Sequence, residues 1–218
     1  VRKENHACLR MLVEDGHEVG NHSFNHEPWM QAAEPAAIAA ELREAHAAIV
    51  EATGAEPVGF RGPGFCHSPE LIRELIALGY RWDASLLPSF IGPLARLYYF
   101  STAKMNREEL ETRSALFGTL RDGLQPLNPF TWTTDDGNIL EIPVSTIPLV
   151  RAPFHLSYLL WLSRYSERLA LAYFDFALLM CRIRGVEPSF LLHPLDFLGS
   201  DDESRLSFFP AMDTTRAR

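Results

Sequence analysis

Four short stretches carry side chains that could do chemistry. In "GHEVGNHSFNHE", His22 and His26 stand four residues apart. Imidazole nitrogen suits Zn²⁺, Co²⁺ or Ni²⁺, and two ligands drawn from one short loop cost little entropy to gather. Asn21 or Ser23 could orient a ring through its second nitrogen. The same spacing also fits ordinary polar histidines on a loop. His17 sits at the far end of the stretch and is not counted. In "FRGPGF", Arg61 precedes a Gly62-Pro63-Gly64 turn. A guanidinium there can hold a nearby carboxylate ionised, and exposed backbone N–H groups can hold an oxyanion. The plainer alternative is a turn with a surface arginine. In "FLLHP", His193 is either a hydrogen-bonded core histidine or, if it faces a reacting group, a general acid or base. In "RWDAS", Asp83 could orient such a histidine or bond its own loop.

The elements that must position these groups follow from periodicity and punctuation. Residues near 4–15 read as a helix stopped at Gly16. "HEVGNHS" reads as a short strand ending in a loop. From Pro35 to Ala52, Ile38, Leu42, Ala45 and Ile49 form one helical face, and Thr53-Gly54 ends it. "PVGFRGPGF" reads as a strand running into a Gly/Pro loop. Ser68-Pro69-Glu70 starts a helix that reaches Leu78 and stops at Gly79. "YRWDAS" is the next strand, and "GNILEIPVS" follows an Asp-Gly turn as another. A helical region in two pieces covers about 156–184, Gly185 ends it, and "PSFLLHP" reads as a last buried strand. Residues 86–135 break the rhythm as an insertion. Alternating helices and strands predict a mostly parallel sheet with helices outside, so that His22, His26, Arg61, Asp83 and His193 come to one edge of it.

The bulk composition narrows the classes. The 218 residues suit one domain, 1–218. A net charge of -8 argues against nucleic acid as the main partner. The three cysteines, Cys8, Cys66 and Cys181, form no CxxC pair and read as free thiols. No apolar run reaches the ~18 residues of a membrane span.

Together, "HSFNH", "FRGPGF" and "LLH", in this order, resemble the polysaccharide deacetylases, the NodB-homology domain of carbohydrate esterase family 4. The resemblance runs from Gly16 to Pro194, with the insertion as its loosest part. It implies a distorted (β/α) barrel with fewer than eight strands. It also implies a divalent metal, zinc first and cobalt or nickel next, and hydrolysis of an N- or O-acyl group on a sugar. His22 and His26 match the metal-binding histidines, and Arg61 matches the arginine that positions the catalytic aspartate. The Gly64 N–H matches the oxyanion donor. Leu191 matches the leucine lining the acyl pocket, with Pro63 and Phe65 as further substrate contacts. His193 matches the general acid, and Asp83 corresponds to the fourth motif.

The family's first motif, Thr-Phe-Asp-Asp-Gly, carries the base and a third metal ligand, and no stretch here matches it in position. "TTDDG", Thr133 to Gly137, comes after the third and fourth motifs and starts a strand rather than ending one. The expectation is therefore a chain cut before its first strand and inactive by itself. The substrate would be a polysaccharide or a lipid-linked glycan. "LLPSFIGPLARLYYF" from Leu86 and "IPLVRAPFHLSYLLWLSRY" from Ile147 form either a helical cap or a surface for peripheral membrane contact through 86–100 and 147–165. Arg96, Arg151 and Arg164 would then lie near headgroups. The expected location is cytoplasmic or peripheral at the inner membrane face, with a signal peptide upstream left open. A decayed, non-catalytic sugar-binding relative is the alternative to the enzyme.

Overall fold

The computed structural model describes residues 1–90, 120–203 and 215. They form a mixed α/β structure in two compact units, Val1–Pro143 and Val144–Arg218.

In the first unit a four-stranded sheet has the order β1-β2-β4-β3, where β1 is Gly59–Phe60, β2 Trp82–Asp83, β3 Phe130–Thr134 and β4 Gly137–Glu141. β1, β2 and β4 run parallel, and β3 closes a hairpin antiparallel to β4. The sheet is open among the described residues. Among the described residues three helices accompany it: α1 (His6–Glu14), α2 (Pro35–Thr53) and α3 (Pro69–Ala77). The predicted face of α2 is the buried one, Ile38, Leu42, Ala45 and Ile49, joined by Ala39 and Ala52. Ser68 caps α3 as expected, its Oγ accepting the Leu71 N–H, and α3 buries Leu71, Ile72 and Leu75. Ile38 and Leu42 of α2 and Leu71, Ile72 and Leu75 of α3 meet Phe60, Tyr80 and Ile139 in one core. Gly59 pairs with Trp82 across the parallel ladder. A Cβ at Gly59 would lie 1.9 Å from the Trp82 ring, so only glycine lets the two strands approach.

In the second unit the two helical pieces are α4 (Leu156–Ser163) and α5 (Glu167–Arg184). Ala177 and Cys181 of α5 pack with Ile147 and Phe154, and Tyr173 and Phe174 join the cluster.

Three expectations need correction. "HEVGNHS" is not a strand: it contributes a single parallel bridge, Asn21 to Phe60. "PSFLLHP" is not a strand either. Leu191 is buried while Phe190 and Leu192 are exposed, which is the alternation of an extended chain. Yet its carbonyls at Ser189 and Leu191 accept from Ser145 and Leu156, not from a strand ladder. The predicted insertion 86–135 includes β3, a strand of the main sheet; its residues 91–119, with Arg96, lie outside the described residues. "TTDDG" is the β3–β4 hairpin turn, with Asp135 and Asp136 exposed. No described helix is long and apolar enough to cross a membrane.

Candidate active site

The loop after the Asn21 bridge carries His22 and His26, and its shape is held by side chains acting on its backbone. Ser23 (φ 64°) and His26 (φ 59°) are both left-handed. Non-glycine residues adopt that region only when their surroundings compel it. Asn21 Oδ1 accepts the Ser23 N–H at 2.9 Å, and Ser23 Oγ accepts the His26 N–H at 3.0 Å. Glu41, reaching over from α2, accepts the N–H groups of Phe24 and Asn25 on Oε1 and the Asn25 amide on Oε2. Buried Asn21 is itself tied down, donating to Leu42 O and to the Tyr80 hydroxyl. The result is two imidazoles with centroids 4.9 Å apart, edge to face.

The sequence offered Asn21 or Ser23 as a group that could orient a ring. At His22 a backbone carbonyl orients the ring: Arg61 O lies 2.6 Å from His22 Nδ1. A carbonyl only accepts, so Nδ1 carries the proton and Nε2 is the nitrogen with metal-binding chemistry.

Arg61 links this loop to the buried centre of the sheet. Its N–H donates to Asn21 O, and its Nε donates to Ala84 O at 3.0 Å. Burial lowers its pKa, while the charges of Asp83 and Glu141 act to raise it. Asp83 and Glu141 are both 0% exposed. Asp83 bonds its own loop: Ser85 donates to Oδ1, and Ser85 in turn accepts the Gly62 N–H at 2.7 Å, fixing the Arg-Gly-Pro-Gly turn. Asp83 Oδ2 has no hydrogen-bond partner within bonding geometry. Glu141 accepts from Leu86 N at 3.0 Å and from the Trp132 indole at 2.9 Å. Burial pushes both acids up, Asp83 to about 6 and Glu141 to about 9, and the Asp83 charge adds to the rise at Glu141. The pair therefore titrates as a unit that retains one proton at neutral pH.

Beyond Arg61 the chain turns sharply. Gly64 is exposed at φ 61°, and a Cβ there would lie 2.7 Å from Pro28 Cβ. Pro63 is buried and Phe65 half-buried at φ 64°. His67 follows, 3.5 Å from Asp122. Burial lowers its pKa, but Asp122, the Phe65 carbonyl and the Asp83 charge together outweigh burial and the net shift is upward.

The first unit thus assembles His22, His26, Arg61, Gly64 and Asp83. His193 and Leu191 belong to the second unit. There Leu191 is buried, and its carbonyl accepts from Leu156 at 3.1 Å. His193 precedes a 3₁₀ turn, Pro194–Phe197, and Asp196 Oδ2 accepts its backbone N–H at 2.7 Å. Ser157 Oγ lies 2.9 Å from His193 Nδ1 and donates to Asp196 Oδ1 at 2.7 Å. Next to it His155 is pushed down to about 4 by burial and by His193, against the pull of Asp196.

Over residues 2–82 the chain matches the family model of polysaccharide deacetylase. The His22/His26 loop and "FRGPGF" both fall within this segment. The chain is also similar to a family 4 carbohydrate esterase from Streptomyces lividans solved with acetate, at 27% identity over 37% of this chain and 41% of that one, TM-score 0.35. It is similar to a CE4 family pseudoenzyme from Bacillus anthracis, at 26% identity over 37% of this chain and 28% of that one, TM-score 0.35. A protein from Mycobacterium smegmatis described as a polysaccharide deacetylase covers 88% of this chain and 72% of its own at 16% identity, TM-score 0.46. The chain spans less than half the length of the first two. No curated protein matches it.

Sequence reasoning missed Glu41, Glu141, Ser157 and Asp196. Asp196 had a signal: a proline just after His193 and an acid three residues on is the spacing of a helical start. The others had none. Among the described residues, no three His, Cys, Asp or Glu side chains group as a metal site. The two imidazoles fit two positions of one.

Proposed function

We propose that the protein is a metal-dependent hydrolase that removes an acetyl or formyl group from the nitrogen or oxygen of a sugar. The observation that carries this reading is the His22–His26 loop. Two non-glycine residues are held left-handed by three side chains, with the rings 4.9 Å apart, inside a segment of polysaccharide deacetylase sequence. A loop built only to cross the surface has no need of such strain.

His22 and His26 would hold a divalent ion, zinc by preference among N ligands, through His22 Nε2 and a His26 ring nitrogen. Bound there, the ion would polarise a water and the acyl oxygen. The chain's own groups supply the rest. Arg61 brings a half-buried positive charge beside the histidine loop. The Gly64 N–H serves as oxyanion donor, with Pro63 and Phe65 shaping the turn that presents it. His193 protonates the leaving nitrogen or oxygen, and Leu191 lines the acyl pocket. Asp83, fully buried and bonded through Ser85 to Gly62, acts by holding the arginine turn rather than by touching substrate.

The substrate is a polysaccharide or a lipid-linked glycan. The lipid-linked form is supported by exposed Leu149, Val150, Trp161 and Tyr165, which lie within the 147–165 stretch. Peripheral binding at the inner membrane face would follow, and flotation with anionic vesicles tests it. No co-flotation removes the lipid-linked substrate.

The central test is metal content by plasma emission together with acetate release from chitooligosaccharides, using the natural full-length protein. His22→Ala and His26→Ala should each lose metal and activity together. Stoichiometric metal in both variants would refute the ligand assignment. Sugar binding without turnover in the unaltered protein would favour the non-catalytic relative.

A further inference from the structure

We propose that Ser157 and Asp196 are positioning residues that fix His193 as its Nδ1–H tautomer, so that His193 exchanges its proton at Nε2. This rests on the reading of His193 as the acid of the deacetylation. Asp83, expected from the sequence as the orienter of such a histidine, is engaged with Ser85 in the other unit.

The assignment follows from counting hydrogens. Ser157 Oγ lies 2.7 Å from Asp196 Oδ1 and 2.9 Å from His193 Nδ1. A carboxylate only accepts, so the single hydroxyl hydrogen of Ser157 goes to Asp196. Ser157 Oγ can then face Nδ1 only as an acceptor, and Nδ1 must carry a hydrogen. Asp196 is well placed to impose this direction. Its side chain is 0% exposed. Its second oxygen takes the His193 backbone N–H at 2.7 Å and stands 3.7 Å from Nδ1. Backbone and ring of one residue are thus held by one carboxylate, the ring through the serine. Free imidazole in water prefers the opposite tautomer, with the hydrogen on Nε2, so the relay reverses a natural bias.

The surroundings suit a proton carrier at this position. When His193 gains a proton at Nε2, the positive charge lies beside the buried Asp196 carboxylate. The other imidazole nearby, His155, has its centroid 5.8 Å away. Burial keeps it neutral, so it adds no competing charge. Ser157 sits in the first turn of α4, and Leu156 beside it donates to Leu191 O, two residues before His193. The helix start and the histidine segment are therefore stitched at two points.

The test is the His193 tautomer, read from two-bond ¹H–¹⁵N correlations on the labelled chain at about pH 9, above the ordinary imidazole range. The expected spectrum has Nδ1 protonated and Nε2 bare. Asp196→Asn should reverse it. The new amide oxygen is needed by the His193 backbone N–H, which turns the NH₂ toward Ser157. The serine must then donate to Nδ1, and the hydrogen moves to Nε2. Nε2–H in the wild type, or Nδ1–H retained in a folded Asp196→Asn variant, overturns the relay. If Asp196→Asn does not fold, Ser157→Ala decides. It removes the acceptor at 2.9 Å and should shift the ring toward the Nε2–H form of free imidazole, and an unchanged Nδ1–H ring overturns the proposal. Activity separates the two readings. If the full-length protein releases no acetate, the deacetylase reading falls and takes the catalytic role of His193 with it, while the tautomer still tests the relay alone. In an active protein, Ser157→Ala should lower kcat by about 10-fold or more with little change in KM, because positioning of an acid acts in the transition state.

Discussion

Glu141→Gln should change how stability depends on pH, not only how large it is. Glu141 is fully buried and accepts two hydrogen bonds, one on each oxygen, from Leu86 N and the Trp132 indole. Glutamine has the same shape but only one oxygen, so its amide NH₂ must face one of those donors. A buried donor left unsatisfied costs about 1–3 kcal/mol. That loss should be present at every pH. The wild type carries a second, pH-dependent cost that the variant lacks. Burial and the neighbouring Asp83 raise the folded Glu141 to about 9, against the ordinary 4.5. Between those values the folded state keeps a proton that the unfolded state has released. Stability from this group is therefore full below pH 4.5 and declines as pH rises toward 9. The slope for one such proton is about 1.4 kcal/mol per pH unit. At about 1.4 kcal/mol per unit this slope outruns a penalty of about 2 kcal/mol, so the penalty of the variant should be largest near pH 5, vanish by about pH 6–7 and reverse toward pH 9, where the variant becomes the more stable. Urea unfolding at several pH values measures this, with Trp132 fluorescence as a local reporter. With m near ~2 kcal/mol/M, a ~2 kcal/mol penalty moves the midpoint by ~1 M. Parallel stability–pH curves for wild type and variant would mean that Glu141 is ionised throughout, and the shared-proton account of the pair would be wrong.

Three further outcomes are expected. Glu41→Ala removes the acceptor for three donors of the histidine loop. Zinc affinity measured by competition with a chelating dye should fall by about 10–100-fold, as for other outer-shell changes, with little change in global stability; an unaltered affinity would show that the loop holds its shape without Glu41. On the proposed deacetylase reading His193→Ala should retain metal and lose about 10²–10⁴ in turnover, together with the alkaline limb of the pH–rate profile, and an unchanged profile would return His193 to a packing role. Gly59→Ala would set a Cβ 1.9 Å from the Trp82 ring; it should destabilise by about 1–3 kcal/mol or more, and a thermal midpoint equal to the wild type would mean that β1 and β2 can separate at no cost.

The sequence by itself determined what is local. The α2 face at Ile38, Leu42, Ala45 and Ile49, the Ser68 cap, the break between the two C-terminal helices and the Asp-Gly hairpin all depend on neighbours within a turn or two, and all are present. So are the residues that could do chemistry, because imidazole and guanidinium keep their chemistry in any fold. Strands were less legible. "HEVGNHS" and "PSFLLHP" have the look of strands, but a strand exists only through a partner, and these segments found one bridge and scattered carbonyl contacts instead. Conversely β3, read as part of an insertion, became a strand because the β3–β4 turn brought it alongside β4. Tertiary structure alone decided which groups act on which. Glu41 reaches the loop from 17 residues away and Ser157 reaches His193 across 36. Asp83 and Glu141 interact strongly only because adjacent parallel strands bury both carboxyls in one place. Burial then sets their protonation, and the direction of each hydrogen bond sets the tautomers of His22 and His193. Such effects depend on distance and desolvation in space, and no spacing along the chain encodes them.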